Sequence, residues 1–274
     1  MSIFDRALLE AVLLGVACGP LGLWVLAYRQ AYAAESLAHA MLPGLTIAAI
    51  AGLPLLLGAA GGILGAAVLI ALAARDRRIG PDLAIAVTIT AVFGAGVLLA
   101  ATPEVPAKLS ELLFGDLLGV SDGDLVAAAV LALAAPAALA AGHRPLTVAA
   151  HDPDAARALH VDPARTQAAL LVLLAAAIVV AVQGLGNLLV IALLIAPATA
   201  AQRLSPRLTT QLTLSAAIGA ASGALGLLVS DRLSLAAGAS VALVACLFAL
   251  VVLAARGGGQ TVRRSPIEAL GGRS

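Results

Sequence analysis

Glu35 and His39 are the two side chains of this sequence that stand inside an apolar stretch and could act together on an ion. Four residues apart, they lie one above the other on the same face of a helix. A carboxylate beside an imidazole is a ligand pair for zinc, manganese or iron. Pro43 and Gly44 follow directly. They are expected to loosen the helix and free backbone carbonyls, as happens where a span lines a cavity. Two side chains do not complete a tightly held metal site, but a site that passes ions onward must bind weakly. The remaining ligands would come from carbonyls, water or another span. The same pair could instead be a buried hydrogen-bonded contact that only ties helices together. Asn187, Gln183 and Thr199 are polar positions in or near later spans and read as interhelical hydrogen bonders.

The elements that must hold this pair are membrane spans. Of 274 residues, 62% are hydrophobic and 11% charged, and the mean hydropathy is +1.06. A soluble domain is roughly 45–50% apolar and about 25% charged, so the bilayer is the solvent for this chain. Spans need about 20 mostly apolar residues. They are expected at about 7–27, 33–51, 54–74, 82–101, 124–142, 166–184, 187–203, 208–229 and 234–255, and all of them should be helices because lipid satisfies no free backbone group. The fold class is therefore an all-α polytopic membrane bundle of eight or nine helices over residues 1–255, followed by a flexible tail at 256–274. The first stretch, beside Asp5, Arg6 and Glu10 rather than a basic leader, reads as a true span and not a cleaved signal.

Charge sets the expected orientation. With the N-terminus outside, the inner segments receive Arg29, Arg75, Arg77, Arg78, Arg144, Arg157, Arg165, Arg203, Arg207, Arg256, Arg263, Arg264 and Arg273, and the outer segments only Arg6, Lys108 and Arg232. This is the bias of a chain whose C-terminus is cytoplasmic. Glu104, Glu111, Asp116, Asp122, Asp124 and Asp231 then lie outside, where they would concentrate cations. Residues 108–118, too short and too charged to span, suggest a surface helix at the outer interface. On the inner side, Asp152-Pro153 is a helix start, with Asp as cap and Pro at the first position. That helix should run to about His160, through Asp154 and Arg157, before Asp162-Pro163 begins the next span. A short helix held there can pass motion to a soluble partner.

Other classes are poorly served. The net charge of +1 offers nucleic acid no electrostatic hold. The single lysine, Lys108, fits no Walker A loop, and HExxH, GxSxG and CxxC are absent. The chain therefore reads as no enzyme: any ATP hydrolysis would sit in a separate subunit. Cys18 and Cys246 lie in apolar runs and read as packing residues. Gly58–Gly65 and Gly219–Gly226 read as helix packing seams. A stand-alone secondary transporter carrying an ion or proton on Glu35 remains the alternative.

Four stretches together resemble the membrane permeases of ABC-type zinc, manganese and iron importers. They are Gly19-Pro20-Leu21-Gly22 with Tyr28-Arg29, AESLAHAMLPG at 34–44, LLFGDLLGVSDGDL at 112–125 and GLGNLLVIALLIAPATAA at 184–201. The resemblance implies a type II ABC importer-like fold, a homodimer, two cytoplasmic ATP-binding subunits and an extracellular or periplasmic metal-binding protein, in a bacterial inner membrane. It implies that the 150–165 segment is a coupling helix docking on the ATPase through residues such as Asp152, Pro153, Asp154, Arg157 and His160. It also implies that Glu35 and His39 line the metal path. His39 matches the family pattern. Glu35 stands where the family has Asp, and Ala34 where it has Gly; the carboxylate is kept but moved by about one methylene. In the last span only Gly238 and Ser240 of LAAGASVAL (235–243) are in register. No permanently bound cofactor is implied; the ion is cargo, Zn2+ or Mn2+, with zinc preferred because imidazole suits it.

Overall fold

The computed structural model describes residues 2–73, 81–102, 119–186 and 190–257. Eleven helices occupy them: α1 (Ile3–Ala27), α2 (Ala31–Ala51), α3 (Leu55–Ala73), α4 (Pro81–Ala100), α5 (Asp122–Ala141), α6 (His143–His151), α7 (Pro153–Ala158), α8 (Pro163–Leu185), α9 (Val190–Leu204), α10 (Leu208–Leu233) and α11 (Ala237–Gly257). Seven of them, α1, α2, α4, α5, α8, α10 and α11, are long and apolar enough to cross a membrane. The apolar stretch of α3 and the whole of α9 are shorter. These nine correspond to the nine expected spans. The suggested surface helix at 108–118, the arginines at 75–78, Asn187 and the tail lie outside the described residues.

Local sequence marks the helix ends. Ser2 and Asp5 form a reciprocal capping box at the start of α1, and Ser121 and Asp124 repeat it at the start of α5, each satisfying two otherwise free N–H groups. Asp152 and Asp162, each followed by proline, cap α7 and α8 as expected. Gly52 closes α2 at φ 65, a left-handed conformation that glycine adopts without a Cβ clash.

α1 is the axis of the larger packing group. It is buried along nearly its whole length, against α10, α9 and α5. Small residues make that possible. A Cβ on Gly15 would fall 2.3 Å from the Gly219 carbonyl oxygen, and one on Gly19 would fall 2.2 Å from that of Ser215. Without side chains at these points the backbones of α1 and α10 meet directly, which is how helices associate in lipid. A second group consists of α2, α3 and α4, with Gly44 against Gly58 and Gly62 against Ala40. α8 touches both groups. The two expected glycine seams are thus used differently. Gly219, Gly223 and Gly226 all press on backbone, whereas Gly61 and Gly65 of α3 face open space.

α2 runs through Pro43 to Ala51, the end of the expected span, and the proline ring lies against Gly96 of α4. Two further details differ from expectation. The segment after α5 contains an additional nine-residue helix, α6, ahead of α7. Cys18 is buried as expected, but Cys246 is exposed on α11.

Candidate functional site

The face of α2 that packs inward is apolar: Ala34, Ala38, Met41, Leu45 and Ala48 repeat at helical spacing and are buried. Glu35 lies one residue, about 100°, around from that stripe. Its side chain is 55% accessible and that of His39 is 22% accessible. Glu35 therefore faces out of the single-chain bundle, not into its core, with Tyr32 and Ile47 on the same exposed side. Within this chain the carboxylate is left on the flank of α2 while the imidazole beside it is largely covered.

The pair itself is present. Glu35 Oε1 and His39 Nε2 are 3.9 Å apart, too far for a hydrogen bond. Two ligands on one tetrahedral zinc, each about 2.0–2.1 Å from it, would stand roughly 3.3 Å apart. The His39 ring leans on Phe93 of α4, with centroids 4.8 Å apart, and its Nδ1 is buried without a hydrogen-bond partner. Pro43, four residues on, has no N–H to offer the His39 carbonyl, so one backbone acceptor is freed beside the pair. Among the described residues no group of three or more His, Cys, Asp or Glu side chains is placed to hold a metal. The described residues thus offer a carboxylate, an imidazole and a carbonyl here, fewer ligands than a complete coordination shell needs.

On the arginine-rich side, Asp152 Oδ1 accepts the N–H groups of Asp154 and Ala155 at 3.0 and 2.9 Å. Arg157 pairs with Asp154 at 2.5 Å. The chain turns through His160 at φ 60, with the Val161 N–H on the Ala156 carbonyl at 2.9 Å. Only Ala156 of α7 is buried; Asp152, Pro153, Asp154, Arg157 and His160 are all exposed. α1 grips the preceding helix: the Tyr28 hydroxyl donates to the Leu146 carbonyl at 3.0 Å, and Trp24 meets His143 edge-on with centroids 5.9 Å apart. Burial pushes the Tyr28 phenol up, so it stays a neutral donor. Of the other polar positions, Thr199 donates to Ile195 within its own helix at 2.8 Å, and Gln183 lies in α8.

Sequence reading passed over Glu10. It lies in α1, 1% accessible, and its Oε2 has no hydrogen-bond partner. Arg6, one turn away, pairs with Asp122. The signal was present: Glu10 is the sole charged residue between Arg6 and Arg29, and an ionisable group inside a span is a functional candidate by default.

Comparison with known proteins extends the picture to most of the chain. Residues 1–256 match the ABC 3 transport family. The chain is 34% identical over 251 residues to a manganese transport system membrane protein MntC of Halalkalibacterium halodurans, covering 91% of this chain and 86% of that one. It is 28% identical to a probable iron transport system membrane protein of Haemophilus influenzae, covering 91% and 92%. Its structure resembles PsaBC from Streptococcus pneumoniae, solved in complex with a Fab, with a TM-score of 0.85 and 28% identity over 92% of this chain and 91% of that one.

Proposed function

The chain belongs to the ABC 3 transport family, and from that premise we propose that it is the membrane permease subunit of an ATP-driven importer of a divalent metal ion. The observation that carries the reading is the Glu35–His39 pair: an exposed carboxylate and a partly buried imidazole one turn apart on a helix, with a freed carbonyl beside them, in a chain made of membrane spans. A second copy facing the first across this surface would bring two carboxylates and two imidazoles together and complete the shell that one chain leaves open. The proposed assembly is a homodimer, with two ATP-binding subunits docked on the arginine-rich side through α7 and a metal-binding protein on the opposite side. The N-terminus is external and the C-terminus cytoplasmic, in a bacterial inner membrane. The exposed, capped α7 and its attachment to α1 through Tyr28 and Trp24 support a coupling role.

The cargo is a first-row divalent ion. Imidazole favours Zn2+, and carboxylate suits Zn2+ and Mn2+ alike; the similar proteins carry names for manganese and iron. The test is uptake of radiolabelled Zn2+, Mn2+ and Fe2+ into proteoliposomes containing this chain with its ATPase subunit and binding protein. Uptake should require ATP and both partners. Flux by this chain alone down an ion gradient would favour a secondary carrier using Glu35 and overturn the proposal. Co-purification of two differently tagged copies tests the dimer, and competition among the three ions tests whether zinc is preferred.

A further inference from the structure

A cavity of about 460 Å³ opens on the arginine-rich face where three parts of the chain converge: the end of α1, the end of α6 and the turn from α9 into α10. Its polar wall is Arg29, His151, Gln202 and Gln211, and its apolar wall includes Leu23 and Leu208. Among the described residues no carboxylate lines it. Arg203 and Arg207 neighbour lining residues in sequence, and both are exposed. Among the described residues none of Arg29, Arg203 and Arg207 has a carboxylate partner, whereas Arg6, Arg157 and Arg165 each pair with an aspartate. Arg29 is also held at φ 56, where a residue with a side chain is disfavoured. Arg29 in the wall, with Arg203 and Arg207 on positions next to the lining, gives the hollow a local positive potential.

We propose that this cavity is a binding site for a phosphate-bearing anion, delivered as the headgroup of an anionic phospholipid. The mixed lining carries the choice of source. A free anion needs only the polar wall, but Ala27 and Leu208 reach the surface in the same space, beside the buried Leu23. A headgroup on the guanidinium side with its glycerol and first methylenes on Ala27 and Leu208 fits both. Basic pockets between transmembrane helices at the cytoplasmic surface are where anionic headgroups bind. That this face is cytoplasmic rests on the orientation proposed above. Because the cavity joins α1, the coupling segment and the α9–α10 turn, an occupant would brace the helix that leads into α7 against the bundle. The site is separate from Glu35 and His39, and the cargo does not enter it.

The experiment is thermal melting of the purified full chain in neutral detergent with added phosphatidylglycerol, phosphatidylcholine or inorganic phosphate. Retained lipid is counted in parallel by native mass spectrometry. Phosphatidylglycerol should raise the melting temperature and be retained, and phosphatidylcholine should do neither. Each arginine replaced by glutamine, as in Arg29→Gln, Arg203→Gln or Arg207→Gln, should weaken retention roughly fivefold, from the worth of one basic residue near an anionic surface. Arg144→Gln with Arg256→Gln removes charge elsewhere on this face and should leave retention intact. All these side chains are exposed, and the melting temperature without lipid reports any loss of fold. An equal response to inorganic phosphate would overturn the lipid as source. An unchanged phosphatidylglycerol preference in the triple variant would overturn the site. So would loss of that preference when the ATPase subunit is added, since the cavity would then belong to the partner. None of these outcomes depends on transport, so failure of the lipid site and failure of the permease assignment are read separately.

Discussion

Replacing Gly219 by alanine should separate α1 from α10 and measurably destabilise the bundle. An added Cβ would lie 2.3 Å from the Gly15 carbonyl oxygen, 2.9 Å from its carbonyl carbon and 3.2 Å from its Cα. An ordinary carbon–oxygen contact is about a full ångström longer than the first of these distances. The atoms it meets are backbone inside a buried helix, so no side chain can rotate away; the helices themselves must part. The same close approach recurs at Gly19 with Ser215 and Gly223 with Ala11, so displacement at one point loosens contacts along the seam. Overpacking of this kind costs typically 1–3 kcal/mol, opposed by up to about 1 kcal/mol from the better helix propensity of alanine. The expected net loss is about 1–2 kcal/mol, read as a fall of several degrees in the melting temperature of the detergent-purified chain. Gly61→Ala and Gly65→Ala are the internal control. Their Cβ atoms meet nothing within 4 Å, so they should leave the melting temperature unchanged or slightly raised. If Gly219→Ala melts no lower than Gly61→Ala, backbone contact does not hold α1 to α10 and the account of the packing is wrong.

Glu35→Ala and His39→Ala should each reduce metal uptake at least tenfold while membrane abundance stays at the wild-type level; wild-type uptake in both would return the pair to a purely structural role. Asp152→Ala removes the oxygen that caps α7 at two N–H groups. About 1 kcal/mol of local helix stability goes with it, so co-purification of the ATPase subunit should fall while the melting temperature of the chain alone barely moves. Glu10→Gln keeps the shape of a buried side chain whose Oε2 has no partner, so melting should be unaffected or slightly raised; a clear drop would mean the carboxyl holds a contact that glutamine cannot reproduce.

The legible parts of this protein are those set by neighbours in sequence. Asp152-Pro153 and Asp162-Pro163 announced helix starts, and both aspartates accept the N–H groups ahead of them. Glu35 and His39 were expected on one face from their spacing, and they are. Pro43 was legible as a local loss of one N–H within the span, whereas its contact with Gly96 belongs to another helix and was not. His143–His151 was not read as helical, since Pro145 and few apolar residues obscure the pattern; the hold of Tyr28 and Trp24 on it is a contact across more than a hundred residues.

Composition and periodicity alone determined that the chain is a bundle of membrane helices, where they begin and end, and which side carries the arginines, because lipid accepts no unsatisfied backbone and charge is expelled from the spans. Tertiary structure decided what each helix face meets. It turned Glu35 outward, pressed Gly219 onto Gly15 while leaving Gly61 bare, enclosed Glu10 without a partner and gathered Arg29 with His151. The physical reason is that a helix repeat tells which residues share a face, whereas in lipid an alanine face and a leucine face are equally apolar. Only close packing between particular backbones selects which of them goes inside.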